Sequence, residues 1–221
     1  MKKKILIGVA IVMGLMAMAC GVGYHCYKHR WTNGLYRWYC SHQDSKQVAS
    51  VKPADDLLNY CKRMDLDTEC YITVDFTLPS SERRLTVRRY RDGKVLFSSL
   101  CAHGDGSAPY RSTDSEAHFS NRVGSKSSCV GRFMLTEVGK ARRGFQVIKL
   151  EGLDATNSNA AMRGIYIHSS GKVTRNPQGR LIPVGNKTSE GCFVVSAGAF
   201  QRLKQLLQHH PRMLLYAYNQ A

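Results

Sequence analysis

Two runs of β-branched and aromatic residues joined by Asp92-Gly93 place the strongest constraint on how this chain folds. Leu85-Thr86-Val87-Arg88-Arg89-Tyr90 precedes the turn and Val95-Leu96-Phe97 follows it. Asp-Gly between two such runs is a strong signal of an antiparallel hairpin. Tyr71-Ile72-Thr73-Val74-Asp75-Phe76 adds a strand just before it, and further strands are predicted at 131–136, 145–150, 164–168 and 213–218. Short strands separated by turn signals point to a mainly β fold, a sandwich or a barrel.

Two helices are predicted beside them. Residues 53–64 form a short amphipathic helix, with Asp55-Asp56 near its start and Leu57, Leu58 and Cys61 on one side. Residues 196–208 form the clearest one: Phe200, Leu203, Leu206 and Leu207 recur at helical spacing, and Pro211 ends it.

One constellation carries chemistry. Ile165-Tyr166-Ile167-His168-Ser169 is a strand ending in a histidine, followed by a Gly-, Pro- and Asn-containing loop. Ser189-Glu190-Gly191-Cys192 then leads toward the C-terminal helix. A helix start stabilises a thiolate, and a nearby imidazole accepts the thiol proton. Gly191 permits tight backbone approach, so the amides around Cys192 are candidates for an oxyanion hole. On the residues alone, a structural cysteine and a satisfied polar histidine are the more frequent account of such a pair. His103, within Ala102-His103-Gly104-Asp105-Gly106-Ser107, is expected to line the cleft; the alternative is a turn histidine beside flexible glycines. His118, His209 and His210 are read as structural.

The N-terminus points to export. Lys2, Lys3 and Lys4 precede an uncharged run over residues 5–24, the pattern of a secretion signal and also long enough for an uncleaved anchor helix. Cys20 adds a lipoprotein alternative. The expected organisation is leader or anchor over 1–24, juxtamembrane linker and short helix over 25–65, and catalytic domain over 66–221. Localisation follows as the cell envelope, periplasmic or extracytoplasmic, secreted or membrane-anchored. Lys and Arg number 32 against 16 Asp and Glu, a formal net charge of +16. Such a surface is drawn to an anionic envelope surface; nucleic acid suits the charge but not an exported chain.

Eight cysteines fit an oxidising compartment: Cys20, Cys26, Cys40, Cys61, Cys70, Cys101, Cys129 and Cys192. Setting aside Cys20 and Cys192 leaves six, whose pairing the sequence does not choose, and unpaired buried thiols are the alternative. His25, Cys26, His29, Cys40 and His42 match no common zinc framework. No metal and no cofactor are expected.

His168-Ser169, then Ser189-x-Gly191-Cys192, resembles the signature of the L,D-transpeptidases (YkuD-like), and within them the murein L,D-transpeptidase catalytic domain-like group. Collinear stretches support the resemblance: residues 80–85, 102–107, 119–121, Gly124-Ser125, Ser127-Ser128, Gly131-Arg132-Phe133 and 150–154. Two positions depart from the pattern, Glu190 where a histidine is usual and Val194 where Arg or Asn is common. The resemblance implies a cysteine acyl-transferase acting on peptidoglycan stem peptides. Cys192 would be the nucleophile, His168 its base, and the Ser169 carbonyl the group that orients the imidazole. His103, Ser189, Glu190, Arg175 and Arg180 would meet the substrate, the arginines by pairing with stem-peptide carboxylates. If water resolves the thioester, the enzyme is a carboxypeptidase or endopeptidase instead; a catalytically inactive wall-binding module is the remaining alternative. The basic loop over 170–188 would act as a flap.

Overall fold

The computed structural model describes residues 56–80, 82–107, 117–171, 173 and 189–220. The leader and the His25–Lys52 stretch lie outside them, as do Cys20, Cys26 and Cys40. No helix among the described residues is long and apolar enough to cross a membrane.

A short helix α1 (Leu57–Arg63) precedes three strands, β1 (Cys70–Asp75), β2 (Leu85–Arg89) and β3 (Val95–Ser99). The predicted hairpin is present: β2 pairs antiparallel with β3 around the Asp92-Gly93 turn, with Gly93 at φ +65°. Then come β4 (Gly131–Lys140), β5 (Gln146–Gly152), a single-turn helix α2 (Ala160–Arg163) and β6 (Tyr166–Ser169). The chain ends through β7 (Phe193–Val195), helix α3 (Ala197–His209) and β8 (Leu214–Tyr218).

The strands form one mixed sheet in the order β3-β2-β1-β8-β4-β5-β6-β7. Its two edges meet. After β3 the chain brings Ala102 alongside β7, where Ala102 and Val194 exchange backbone hydrogen bonds of 2.7 and 3.0 Å. Buried Arg84 braces this closure by donating through Nε to the Cys101 carbonyl, 2.7 Å away. The result is barrel-like, a mainly β fold with a helix following the last site strand.

Alternation in the sequence becomes alternation in burial. Ile72 and Val74 of β1, and Leu85 and Val87 of β2, point into one core with Phe133, Leu135, Ile148, Ile167, Phe193 and Val195. Helix α3 closes that core with Phe200, Leu203 and Leu207; fully burying each such side chain contributes about 1.5–3 kcal/mol. Ser196 caps α3, its side chain accepting from Ala199 N. Strand β8 is buried on both faces: Leu215 and Ala217 meet the core, while Leu214 and Tyr216 pack against Leu57, Cys61 and Leu66. None of the described cysteines is in a disulfide, and Cys61, Cys70, Cys101 and Cys129 are buried thiols.

Candidate active site

Strands β6 and β7 run parallel, with Ile167 opposite Phe193, His168 opposite Val194 and Ser169 opposite Val195. Ile167, Phe193 and Val195 face the core, so the alternating residue His168 takes the other face, where Phe145 lies edge-on to its ring at 5.2 Å. Cys192 sits one residue before β7. Its Sγ accepts from the Tyr166 N–H at 3.4 Å, and the thiol donates to the Gly164 carbonyl at 3.4 Å. The parallel register thus places the thiol beside the strand that carries His168.

The imidazole is oriented by its own strand. His168 Nδ1 lies 3.2 Å from the Ser169 carbonyl oxygen. A carbonyl only accepts, so Nδ1 carries the proton and Nε2 keeps its lone pair. Burial lowers the His168 pKa, with the Ser169 carbonyl acting against it. The ring is therefore neutral at neutral pH, with Nε2 free to accept a proton.

Cys192 is not at a helix N-terminus, contrary to the sequence expectation. Phe193–Val195 forms a strand between it and α3, and the field of a helix terminus fades within its first turn. Burial pushes the Cys192 thiol up to about 11; the Tyr166 amide and Arg163 act against that rise and Glu190 adds to it. The resting pair is thus a neutral thiol and a neutral imidazole. Cys192 is also the one described cysteine that is partly exposed.

Two backbone segments hold the thiol turn in place. Gly191 has φ +125°, and a β-carbon there would lie 2.6 Å from Ile165 Cδ1 and 2.8 Å from the Ser127 carbonyl oxygen. Gly104 packs on it from the other side, where a β-carbon would come within 2.5 Å of Gly191 Cα. Buried Ser128 joins the two: its Oγ accepts from Gly104 N and donates to the Gly191 carbonyl, both at 2.9 Å. Ser189 Oγ donates to the Cys192 carbonyl at 2.9 Å, and Asp105 N donates to the Ser189 carbonyl at 2.9 Å. Segments 102–107 and 124–128, distant in sequence, converge on residues 189–192.

The other anticipated residues are distributed as follows. Glu190 is exposed and pairs with Lys126 at 3.3 Å. His103 is 2% exposed, its ring beside Phe76 and Phe119 and its Nδ1 3.1 Å from the Gly104 carbonyl oxygen. Arg175 and Arg180 lie outside the described residues, as does most of the 170–188 loop. Among the described residues, no three His, Cys, Asp or Glu side chains converge to hold a metal. Arg163 was not anticipated, and Ser128 entered only within the Ser127-Ser128 stretch, with no role; Arg163 reaches across 36 or more residues of sequence, and Ser128 across 24 to Gly104 and 63 to Gly191.

The sequence profile of the L,D-transpeptidase catalytic domain matches residues 43–218. The chain belongs to this family. The L,D-transpeptidase chain is similar in fold to an L,D-transpeptidase from Xylanimonas cellulosilytica, at 14% identity, 68% of this chain, 60% of that one and a TM-score of 0.38. An L,D-transpeptidase from Mycobacterium smegmatis matches at 12% identity, 69% and 59% coverage and 0.39. The helical cell shape determining protein Pgp2 from Campylobacter jejuni matches at 13%, 84% and 55%, and 0.44. The chain spans about three fifths of the length of the first two structures. No curated protein sequence matches it.

Proposed function

We propose that this chain is a cysteine acyl-transferase of the cell envelope that acts on peptidoglycan stem peptides by L,D-transpeptidation. The observation that carries the proposal is the placement of a partly exposed thiol beside the strand whose histidine is fixed as the Nδ1–H tautomer. In this account the Cys192 sulfur attacks the carbonyl of an L,D amide while His168 Nε2 takes the thiol proton. The C–N bond breaks, the imidazolium returns the proton to the leaving amine, and a thioester remains on Cys192. An acceptor amine from a second stem then displaces sulfur and restores the thiol. Amides of the Gly191-Cys192 turn would stabilise the tetrahedral oxyanion. Ser189 supports that turn, Glu190 borders it, and Arg175 and Arg180 are assigned to substrate carboxylates. The N-terminal segment is assigned to export or to membrane anchoring.

Because both resting partners are neutral, proton transfer accompanies sulfur attack instead of preceding it as a stored ion pair. Mass spectrometry of muropeptides after incubation with wild type and Cys192→Ala tests the proposal. New cross-linked species with wild type alone support it. Shortened stems without cross-links would make the chain a hydrolase of the same bond, and identical profiles for the two proteins would overturn the proposal.

A further inference from the structure

The single turn of α2 ends at Gly164, which adopts the left-handed conformation, φ 66° and ψ 41°. That reversal brings two groups to the Cys192 sulfur, the Gly164 carbonyl and the Tyr166 amide. It also turns the side chain of the preceding residue, Arg163, beneath the same site. Arg163 Nη1 donates to the Ser120 carbonyl at 2.6 Å; Nη2 donates to Ser125 Oγ at 3.1 Å and to the Ser127 carbonyl at 2.5 Å. A β-carbon at Gly191 would lie 3.3 Å from Nη2 and 2.8 Å from the Ser127 carbonyl oxygen. The guanidinium and one of its acceptors therefore abut the backbone of the residue before the thiol.

We infer that Arg163 is a positioning residue whose fixed positive charge favours thiolate formation at Cys192, the task that sequence reasoning gave to a helix terminus. The inference rests on Cys192 being the nucleophile. A guanidinium stays protonated throughout, so it supplies charge without taking part in proton transfer. Half-buried and held by three acceptors, it stays beside Gly191 instead of swinging into solvent. When the sulfur loses its proton to His168, negative charge develops in a partly desolvated site, where a nearby cation counts for more than at the surface. The effect of Arg163 extends to Cys129, whose thiol burial pushes up to about 11 and Arg163 opposes. Glu190 stands on the other side of the balance, and its pairing with Lys126 moderates its influence. The competing account is a strut: Arg163 fastens residues 120–127 to α2 and leaves the thiol alone.

The two accounts separate in the pH dependence of Cys192 alkylation by iodoacetamide, followed on the full chain by mass spectrometry of the Cys192 peptide. Arg163→Gln should alkylate about tenfold more slowly at pH 8, one unit of apparent thiol pKa being tenfold in thiolate. Arg163→Lys, which keeps the cation and loses the fork, should stay within about twofold of wild type. A wild-type profile for Arg163→Gln overturns the inference, as does a Lys variant that falls with Gln. Should Arg163→Gln not fold, Ser125→Ala unties one Nη2 donor without removing a charge. It should alkylate within about twofold of wild type, whereas a tenfold loss makes hydrogen bonding decisive and overturns the inference. Alkylation needs no peptidoglycan, so these outcomes stand apart from the muropeptide result. Loss of turnover in Cys192→Ala would persist even if Arg163 proved to be a strut.

Discussion

Replacing Gly191 by alanine combines two penalties that the structure lets one size separately. The backbone at φ +125° is nearly closed to L-residues, and holding one there costs about 1–3 kcal/mol. The new β-carbon would also meet Ile165 Cδ1 at 2.6 Å and the Ser127 carbonyl at 2.8 Å. The isoleucine methyl can swing aside, but the carbonyl is held by Arg163 and cannot. Overpacking of this kind costs about 1–3 kcal/mol. Together the penalties come to roughly 2–6 kcal/mol, and at about 2–4 °C per kcal/mol for a domain of this size a fall in Tm near 10 °C is expected. Thermal unfolding by calorimetry measures it, with Gly198→Ala as the control: a β-carbon there meets nothing within 4 Å. The control should be neutral or slightly stabilising. A Gly191→Ala protein melting within about 2 °C of wild type would refute the reasoning.

Further outcomes follow from the site and its supports. Cys192 alkylation should climb with pH toward about 11 and show no thiolate plateau near neutrality. Because the His168 pKa is lowered, its neutral form survives to lower pH, and the acid limb of kcat/KM should fall below the usual imidazole value; a limb above it would contradict the lowered pKa. His168→Ala should reduce kcat by roughly a hundredfold or more, measured by transpeptidation with a stem-peptide donor. Asp154 accepts from Arg132 N at 2.7 Å and from its guanidinium, tying the start of β4 to the turn before α2. Asp154→Asn should cost about 1.5–3 kcal/mol in urea unfolding.

What could be read from the sequence was local. The Asp92-Gly93 hairpin, the amphipathic α1 and the periodic α3 each carry their signal within a dozen residues, and the structure has all three. Strand β4 runs on to Lys140, beyond the predicted 131–136, because Val138, Gly139 and Lys140 pair with β5 past an irregularity between Leu135 and Val138. Strand β7 escaped because it is only Phe193-Val194-Val195, too short for alternation and flanked by a helix signal. That omission placed the thiol at a helix terminus. The parallel pairs β1–β8 and β6–β7 join residues far apart in the chain, and nothing local specifies their register. The same holds for Arg163, Ser128 and Gly104, which matter only once segments 102–107 and 120–128 meet residues 189–192. His103 drew attention as a histidine beside flexible glycines; its neighbour Gly104 packs against Gly191.

The most direct test of the central claim is the intact mass of the protein after brief incubation with a disaccharide-tetrapeptide donor and no acceptor, quenched in acid. The account predicts a covalent adduct of the donor minus its terminal D-amino acid, mapped by peptide mass spectrometry to Cys192 and absent from Cys192→Ala. An adduct on another residue, or active turnover by Cys192→Ala, would contradict it.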